Sequence, residues 1–208
     1  MAGYHDAQWR ARSALIDSMR QLDAILSEAT RAINPGYFQI AIDGGPPVYR
    51  ERVYCYELYH QMRVRWPDDT PFWLNGELDK AAHPIIRRLG ADGAKPDFLI
   101  HTPGDMNGNH AIMEVKPVGT RGQPILDDLE KLCMFVDAVG YRRAIYLFYG
   151  YDADERLVHH VADMFNRLDN PQAVEVWIHA GPGEPAKRVT TLPILPPPQQ
   201  PRAAKGRT

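Results

Sequence analysis

Hydrophobic residues recur at two different spacings along the chain, and each spacing predicts a different kind of element. Steps of three and four residues, which are typical of one buried helix face, occur in residues 7–32, 49–65, 125–139 and 152–168. Short apolar or alternating runs, which are typical of strands, occur in residues 37–42, 72–74, 97–100, 111–115, 142–149 and 173–179. Helices and strands therefore follow one another through most of the chain.

This succession predicts an α/β fold. The runs at 97–100 and 111–115 flank a loop of His, Thr, Pro, Gly, Asp and Asn, which is typical of a β-hairpin with a long connection. After residue 116 the predicted order is helix, strand, helix, strand, and such an order requires crossover connections. We therefore expect a mixed central sheet flanked by helices, with an N-terminal helical extension.

Proline and glycine divide the chain into these elements. Asn34-Pro35-Gly36 ends the first helix, residues 43–47 (DGGPP) interrupt the chain after the first strand, and Pro67 closes the second helix. At 208 residues the chain fits one domain, predicted at 1–192 with an N-terminal extension at 1–45 and a core at about 49–180. Residues 193–208 are proline-rich and then basic, which predicts a flexible tail.

Composition and charge narrow the classes of function. A hydrophobic share of 44% and a net charge of −2 are ordinary for a soluble protein and argue against general coating of polyanions, although a local positive surface remains open. No apolar run reaches the roughly 20 residues that span a bilayer, so we expect a cytoplasmic protein without a membrane partner. Cys55 and Cys133 lie far apart in apolar helical patterns, which favours reduced core thiols over a zinc site.

The residues suited to chemistry are concentrated between 95 and 116. Asp97 begins the first strand of the hairpin, and Glu114 and Lys116 bracket Val115 in the second. Because side chains alternate along a strand, Glu114 and Lys116 face the same side. Carboxylate oxygens are ligands that Mg²⁺ prefers, and a nearby ammonium can position an attacking water. The alternative is a solvated stripe of ion pairs on the sheet.

Pro96-Asp97, followed by Glu114-Val115-Lys116, resembles the signature of the PD-(D/E)XK nuclease superfamily, which has the restriction-endonuclease-like fold. The predicted order helix, strand, hairpin, helix, strand in residues 49–149 is similar to the core of that superfamily. The resemblance implies that Asp97 and Glu114 bind Mg²⁺ or Mn²⁺, with the Val115 carbonyl as a further ligand. It also implies that Lys116 positions the attacking water.

The resemblance further implies a glutamate on the helix before the hairpin. Glu51 and Glu57 both qualify, but they point about 120° apart on a helix, so only one is expected to face the sheet. Glu57 lies deeper in the apolar pattern, where a carboxylate is costly without a role. The sequence therefore favours Glu57.

The predicted activity is metal-dependent hydrolysis of phosphodiester bonds, in DNA more readily than RNA, in defence or repair. The alternative is a catalytically silent module of the same fold that binds nucleic acid or a protein partner. No separate recognition domain is evident, so a homodimer or a partner subunit is expected to supply specificity. Basic residues predicted to contact phosphates are Arg63, Arg65, Arg87, Arg88 and Lys131.

Overall fold

The structure of the chain is a computed structural model. It describes residues 2–76 and 95–193, and the side chains among them from residue 17 onward. The predicted tail beyond Pro193 lies outside the described residues, and so do Arg87 and Arg88.

Five α-helices and eight strands make up the described part of the chain. The helices are α1 (Ala2–Arg31), α2 (Pro35–Phe38), α3 (Glu51–Val64), α4 (Gln123–Asp137) and α5 (Glu155–Phe165). The strands are β1 (Ile40–Ile42), β2 (Gly45–Val48), β3 (Trp73–Gly76), β4 (Phe98–His101), β5 (Asn109–Pro117), β6 (Arg143–Tyr149), β7 (Val174–His179) and β8 (Lys187–Leu192). A 3₁₀ turn at Met106–Gly108 lies in the loop of the hairpin.

Six of the strands form one open mixed sheet in the order β3-β4-β5-β6-β7-β8. The strands β3, β4 and β5 pair antiparallel, β5, β6 and β7 pair parallel, and β8 returns antiparallel to β7. The predicted antiparallel hairpin is therefore β4–β5, in which Phe98 pairs with Met113. A mixed α/β sheet flanked by helices, with an N-terminal helix, confirms the predicted fold class.

Both faces of the sheet are buried, and β5 lies at its centre. Met113 and Val115 pack in the core that includes side chains of α1 and α3. Ile112, on the opposite face, packs in the core that includes α4 and α5. Glu114 and Lys116 alternate with Val115, so both project toward the α4 side of the sheet.

Three predicted features differ from the structure. The predicted strand at 37–42 begins instead with the short helix α2, because the Asn34 side chain accepts a hydrogen bond from Gly36 N and Pro35 fits the first helical turn. The predicted interruption at 43–47 includes β2, whose Pro46 and Pro47 are tolerated because β2 pairs only with β1. Strand β8 was not predicted because most of its side chains are exposed and supply no apolar run.

Candidate functional site

The acid that begins the hairpin is bound to the strand beside it. Asp97 directly precedes β4, and its Oδ2 accepts a hydrogen bond of 2.8 Å from Val115 N in β5. The carboxylate thus satisfies a backbone donor next to the point where β4 begins. This contact fixes Asp97 beside the segment that carries Glu114 and Lys116.

Helix α4 brings a second acid and a second lysine to Glu114. The Glu114 side chain is 1% exposed, and its Oε1 lies 2.9 Å from Lys131 Nζ. This contact is an ion pair rather than a well-directed hydrogen bond. Lys131 Nζ also donates to Asp128 Oδ1 at 3.2 Å. A buried carboxylate is therefore held by an ammonium that it shares with a second carboxylate.

Lys116 connects this pair to helix α3. Its Nζ donates to Glu51 Oε1 at 2.9 Å and lies 3.3 Å from Asp128 Oδ2. Asp128 Oδ2 also accepts a hydrogen bond of 3.0 Å from the Tyr146 hydroxyl on β6. We call the resulting group the carboxylate–lysine cluster, and its members are Glu51, Asp97, Glu114, Lys116, Asp128 and Lys131.

Burial and neighbouring carboxylates disfavour the charged forms of Asp97 and Glu114. Burial raises the pKa of Asp97 to about 6, the Val115 N–H opposes that rise, and the charge of Glu51 adds to it. Burial, followed by the charges of Asp97 and Asp128, raises the pKa of Glu114 well above its ordinary value. The cluster holds four carboxylates and two ammonium groups, so full ionisation leaves an excess of two negative charges.

The charged forms of the two lysines are favoured, in contrast to those of Asp97 and Glu114. Burial opposes the charged form of each, but neighbouring carboxylates outweigh it. Asp128 and Glu51 raise the pKa of Lys116, and Glu114 and Asp128 raise the pKa of Lys131. Both lysines are therefore cations at neutral pH, and Lys116 is a fixed ammonium beside the two acids of the hairpin.

The structure brings Glu51, and not Glu57, to the cluster. Glu51 lies in the first turn of α3 and contacts Lys116, whereas Glu57 Oε1 accepts a hydrogen bond of 2.8 Å from Gln61 on the same helix. The expectation that Glu57 faces the hairpin is corrected. The physical reason is reach, because the start of α3 lies near the end of β5 and the long side chains of Glu51 and Lys116 meet there.

The predicted phosphate-binding residues are placed differently from one another. Arg63 is exposed. Arg65 is half-buried and donates through Nη1 to the Gln61 carbonyl at 2.9 Å and to Gln61 Oε1 at 2.8 Å. Lys131 is paired with Glu114 and Asp128 instead of standing on the surface. Arg63 is thus the best placed of these three for an incoming anion.

Sequence reasoning missed Asp128. Acids near the start of a helix suit the helix dipole, and the sequence alone explains Asp128 in that way, but α4 begins at Gln123 and has no acid in its first turn. One signal was present, because Asp128 lies three residues after Ile125 and four before Leu132, on the apolar stripe of the helix. A carboxylate on that stripe has to meet partners in the interior.

The donor set of the cluster fits a hard divalent cation in chemistry and in charge. Among the described side chains, in residues 17–76 and 95–193, no group of three or more His, Cys, Asp or Glu residues is arranged to hold a metal ion. Asp97 and Glu114 nevertheless provide two carboxylates, and Mg²⁺ is commonly bound by one or two carboxylates with water completing its shell. A bound dication would balance the excess of negative charge.

The Val115 carbonyl is consistent with the same site. In an extended strand the N–H and C=O of one residue point toward the same neighbouring strand. Because the Val115 N–H binds Asp97, the Val115 carbonyl faces the side of the strand where that carboxylate lies.

Comparisons with known proteins identify no relative of this chain. No protein-family model matches the chain, and no curated protein or solved structure is significantly similar to it. Within the described ranges, none of the helices is both long enough and apolar enough to cross a membrane.

Proposed function

We propose that this protein is a metal-dependent nuclease of the PD-(D/E)XK type, which hydrolyses phosphodiester bonds in DNA more readily than in RNA. The observation that carries the proposal is the hydrogen bond that holds Asp97 to the strand of Glu114 and Lys116, where burial and like charge raise the pKa of both acids. Carboxylates with raised pKa values beside a fixed cation are characteristic of functional sites.

The order of elements around the cluster supports the same proposal. Helix α3 precedes an antiparallel β3-β4-β5 unit, and α4 then crosses to β6, which pairs parallel to β5. Among the described residues this is the order helix, strand, hairpin, helix, strand that the resemblance implies. Asp97 directly precedes β4, and Glu114 and Lys116 lie in β5, an arrangement that agrees with the proposed signature.

Each residue of the cluster has a role in such a reaction. Asp97 and Glu114 would hold Mg²⁺ or Mn²⁺, which would act as a Lewis acid toward the phosphoryl oxygens and would lower the pKa of a bound water. Lys116 would orient the attacking water and offset the charge that develops on phosphorus. Glu51 and Asp128 fix the Lys116 ammonium, and the Val115 N–H orients Asp97.

One observation favours the second candidate, a silent module that binds nucleic acid or a protein partner. Lys131 already pairs with Glu114, and Lys116 already pairs with Glu51 and Asp128. Half of the negative charge is thus compensated by the protein itself. In the silent module the cluster would be a structural ion-pair network.

The test of the nuclease is cleavage by the purified protein of single-stranded DNA, duplex DNA and RNA with Mg²⁺, Mn²⁺ or EDTA. We expect cleavage with either metal and its loss in Asp97→Ala and in Lys116→Ala. Glu57→Gln is the matched control, because it also removes one carboxylate of the protein, outside the cluster. Cleavage that persists in both cluster variants would refute the site assignment.

Metal binding separates the two candidates. Calorimetric titration of the wild type with Mn²⁺ should give a binding heat that Glu114→Gln abolishes and Glu57→Gln retains. Absence of any Mn²⁺ binding to the wild type would favour the silent module.

A further inference from the structure

A cavity of about 320 Å³ opens between helix α3 and the sheet, directly beside Asp97. Cys55, Tyr56 and Tyr59 line it from α3, and Asn75 and Gly76 line it from β3. Cys55 and Asp97 line the same cavity, and burial, followed by the charge of Asp97, raises the pKa of the Cys55 thiol. The cavity therefore communicates with the proposed site of hydrolysis.

The walls of the cavity are aromatic and are held in place. The Tyr59 ring lies parallel to Phe98, with ring centroids 6.5 Å apart, and its hydroxyl donates to the Leu74 carbonyl at 3.4 Å. Tyr56 differs from Tyr59, because it is 60% exposed and its ring is free to meet a ligand.

A second cavity of about 400 Å³ continues along the edge strand β3. Tyr59 and Asn75 line both cavities, so the two adjoin. The second cavity adds Trp73, which is 62% exposed, and Arg63, which is exposed as well. The Asn75 amide, which lines both cavities, is held in place because its Oδ1 lies 2.9 Å from His101 Nε2.

We propose that these two cavities bind successive unpaired bases of a single-stranded nucleic acid, one base against Tyr56 beside Asp97 and the next toward Trp73. The inference rests on the proposed function and deepens it by naming the class of substrate. Aromatic rings bind bases through stacking without regard to sequence, and the exposed Arg63 at the second cavity is placed for a phosphate of the bound strand.

Size and access favour a base over other occupants. A cavity of about 320 Å³ is in the range that accommodates one small ligand of nucleotide size. Bases of an intact duplex stay inside the stack, and unstacking one of them costs free energy. An aromatic cavity beside Asp97 therefore favours a strand that is already unpaired.

The test measures binding rather than cleavage. Fluorescence of a short oligonucleotide with a central 2-aminopurine is titrated in EDTA with the wild type, Tyr56→Ala, Tyr56→Phe and Tyr37→Ala. Tyr37 is the matched control, an exposed tyrosine on α2 that lines neither cavity. We expect the single strand to bind at least tenfold more tightly than the duplex, Tyr56→Ala to weaken it about tenfold, and the other two variants to match the wild type.

The outcomes distinguish this inference from the proposed function. Equal affinity for duplex and single strand, or an unchanged affinity in Tyr56→Ala, would overturn the inference even if the protein cleaves DNA. Tyr56-dependent binding of the single strand by a protein that cleaves nothing with Mg²⁺ or Mn²⁺ would support the base-binding site and refute the nuclease.

Discussion

Two groups of buried charges stand on the same sheet, and their electrostatics are opposite. In one of them, Arg143 Nε and Nη2 each donate to the Glu175 carboxylate at 2.8 Å, and Nη2 also donates to Asp23 at 2.6 Å. Arg143 has a side chain 2% exposed and also binds the Met19 carbonyl, so this group fastens α1 to the sheet. Although burial opposes it, the paired Arg143 lowers the pKa of Glu175.

The carboxylate–lysine cluster lacks that compensation. The pKa values of Asp97 and Glu114 are raised, because burial and like charges outweigh their cationic neighbours. A planar guanidinium satisfies a carboxylate through two parallel hydrogen bonds, whereas each lysine here offers one ammonium to two acids. The first group stabilises the fold, whereas the second has an excess of negative charge that a bound cation could balance.

The largest expected effect tests the structural group. Arg143→Met should lower the free energy of unfolding by about 3–5 kcal/mol, because it leaves Glu175 buried without its partner. Urea denaturation measures the change. Arg188→Gln is the control, since Arg188 is 49% exposed and lies 3.6 Å from Glu175, and its loss should cost less than about 1 kcal/mol. An unchanged free energy of unfolding in Arg143→Met would contradict the structural role of this group.

The next effect tests the cluster through pH. The pKa of Asp97 is 3.8 ordinarily and about 6 in the folded protein, so between these values the folded protein keeps a proton that the unfolded chain has lost. The stability that protonated Asp97 gives the folded protein is therefore lost as the pH rises from 3.8 to about 6. Asp97→Asn, which keeps an acceptor for Val115 N, should stabilise the metal-free protein by about 2 kcal/mol at pH 8 and by about 0.5 kcal/mol or less at pH 4.

The difference between wild type and Asp97→Asn removes the contribution of the buried histidines, which titrate in a nearby pH range in both proteins. The pKa values of His110 and His179 are lowered to about 4 by burial, so both histidines destabilise the fold as the pH falls from 6.5 to 4 in either protein. A difference that does not change between pH 4 and pH 8 would contradict the raised pKa of Asp97.

The smallest expected effect tests which glutamate of α3 belongs to the cluster. Glu51→Gln should reduce metal-dependent cleavage about tenfold, because Lys116 loses the charge that holds its ammonium, an effect of about 1.4 kcal/mol on the barrier. Glu57→Gln should stay within about twofold of the wild type. Initial rates at saturating metal give both values. Equal losses of cleavage rate in the two variants would indicate that Glu57 also belongs to the site.

Local patterns predicted the parts of the site that lie on one hairpin. Alternation around Val115 is a property of the strand itself, so the shared face of Glu114 and Lys116 followed from the sequence. The choice between Glu51 and Glu57 did not, because it depends on where the start of α3 lies relative to β5, and burial cost alone favoured the wrong residue. Asp128 required the packing of α4 on the sheet, which a helix pattern does not specify.

The fold shows the same division between local and distant information. Buried strands such as β6 have continuous apolar runs that identify them, and their crossover helices predicted a mixed sheet. The edge strand β8 is largely exposed, and β2 contains two prolines, so neither strand has the composition that identifies a strand. Both are recognised only from their partners.

The hydrogen bond from Val115 N to Asp97 makes one amide proton a reporter of the whole cluster. Its chemical shift responds to the charge of the carboxylate that accepts it, and its exchange with solvent requires that carboxylate to move away. Protonation, cation binding and the approach of a phosphate all act on the same acceptor. A single resonance therefore follows the occupancy of the cluster in the intact protein, without any turnover of substrate.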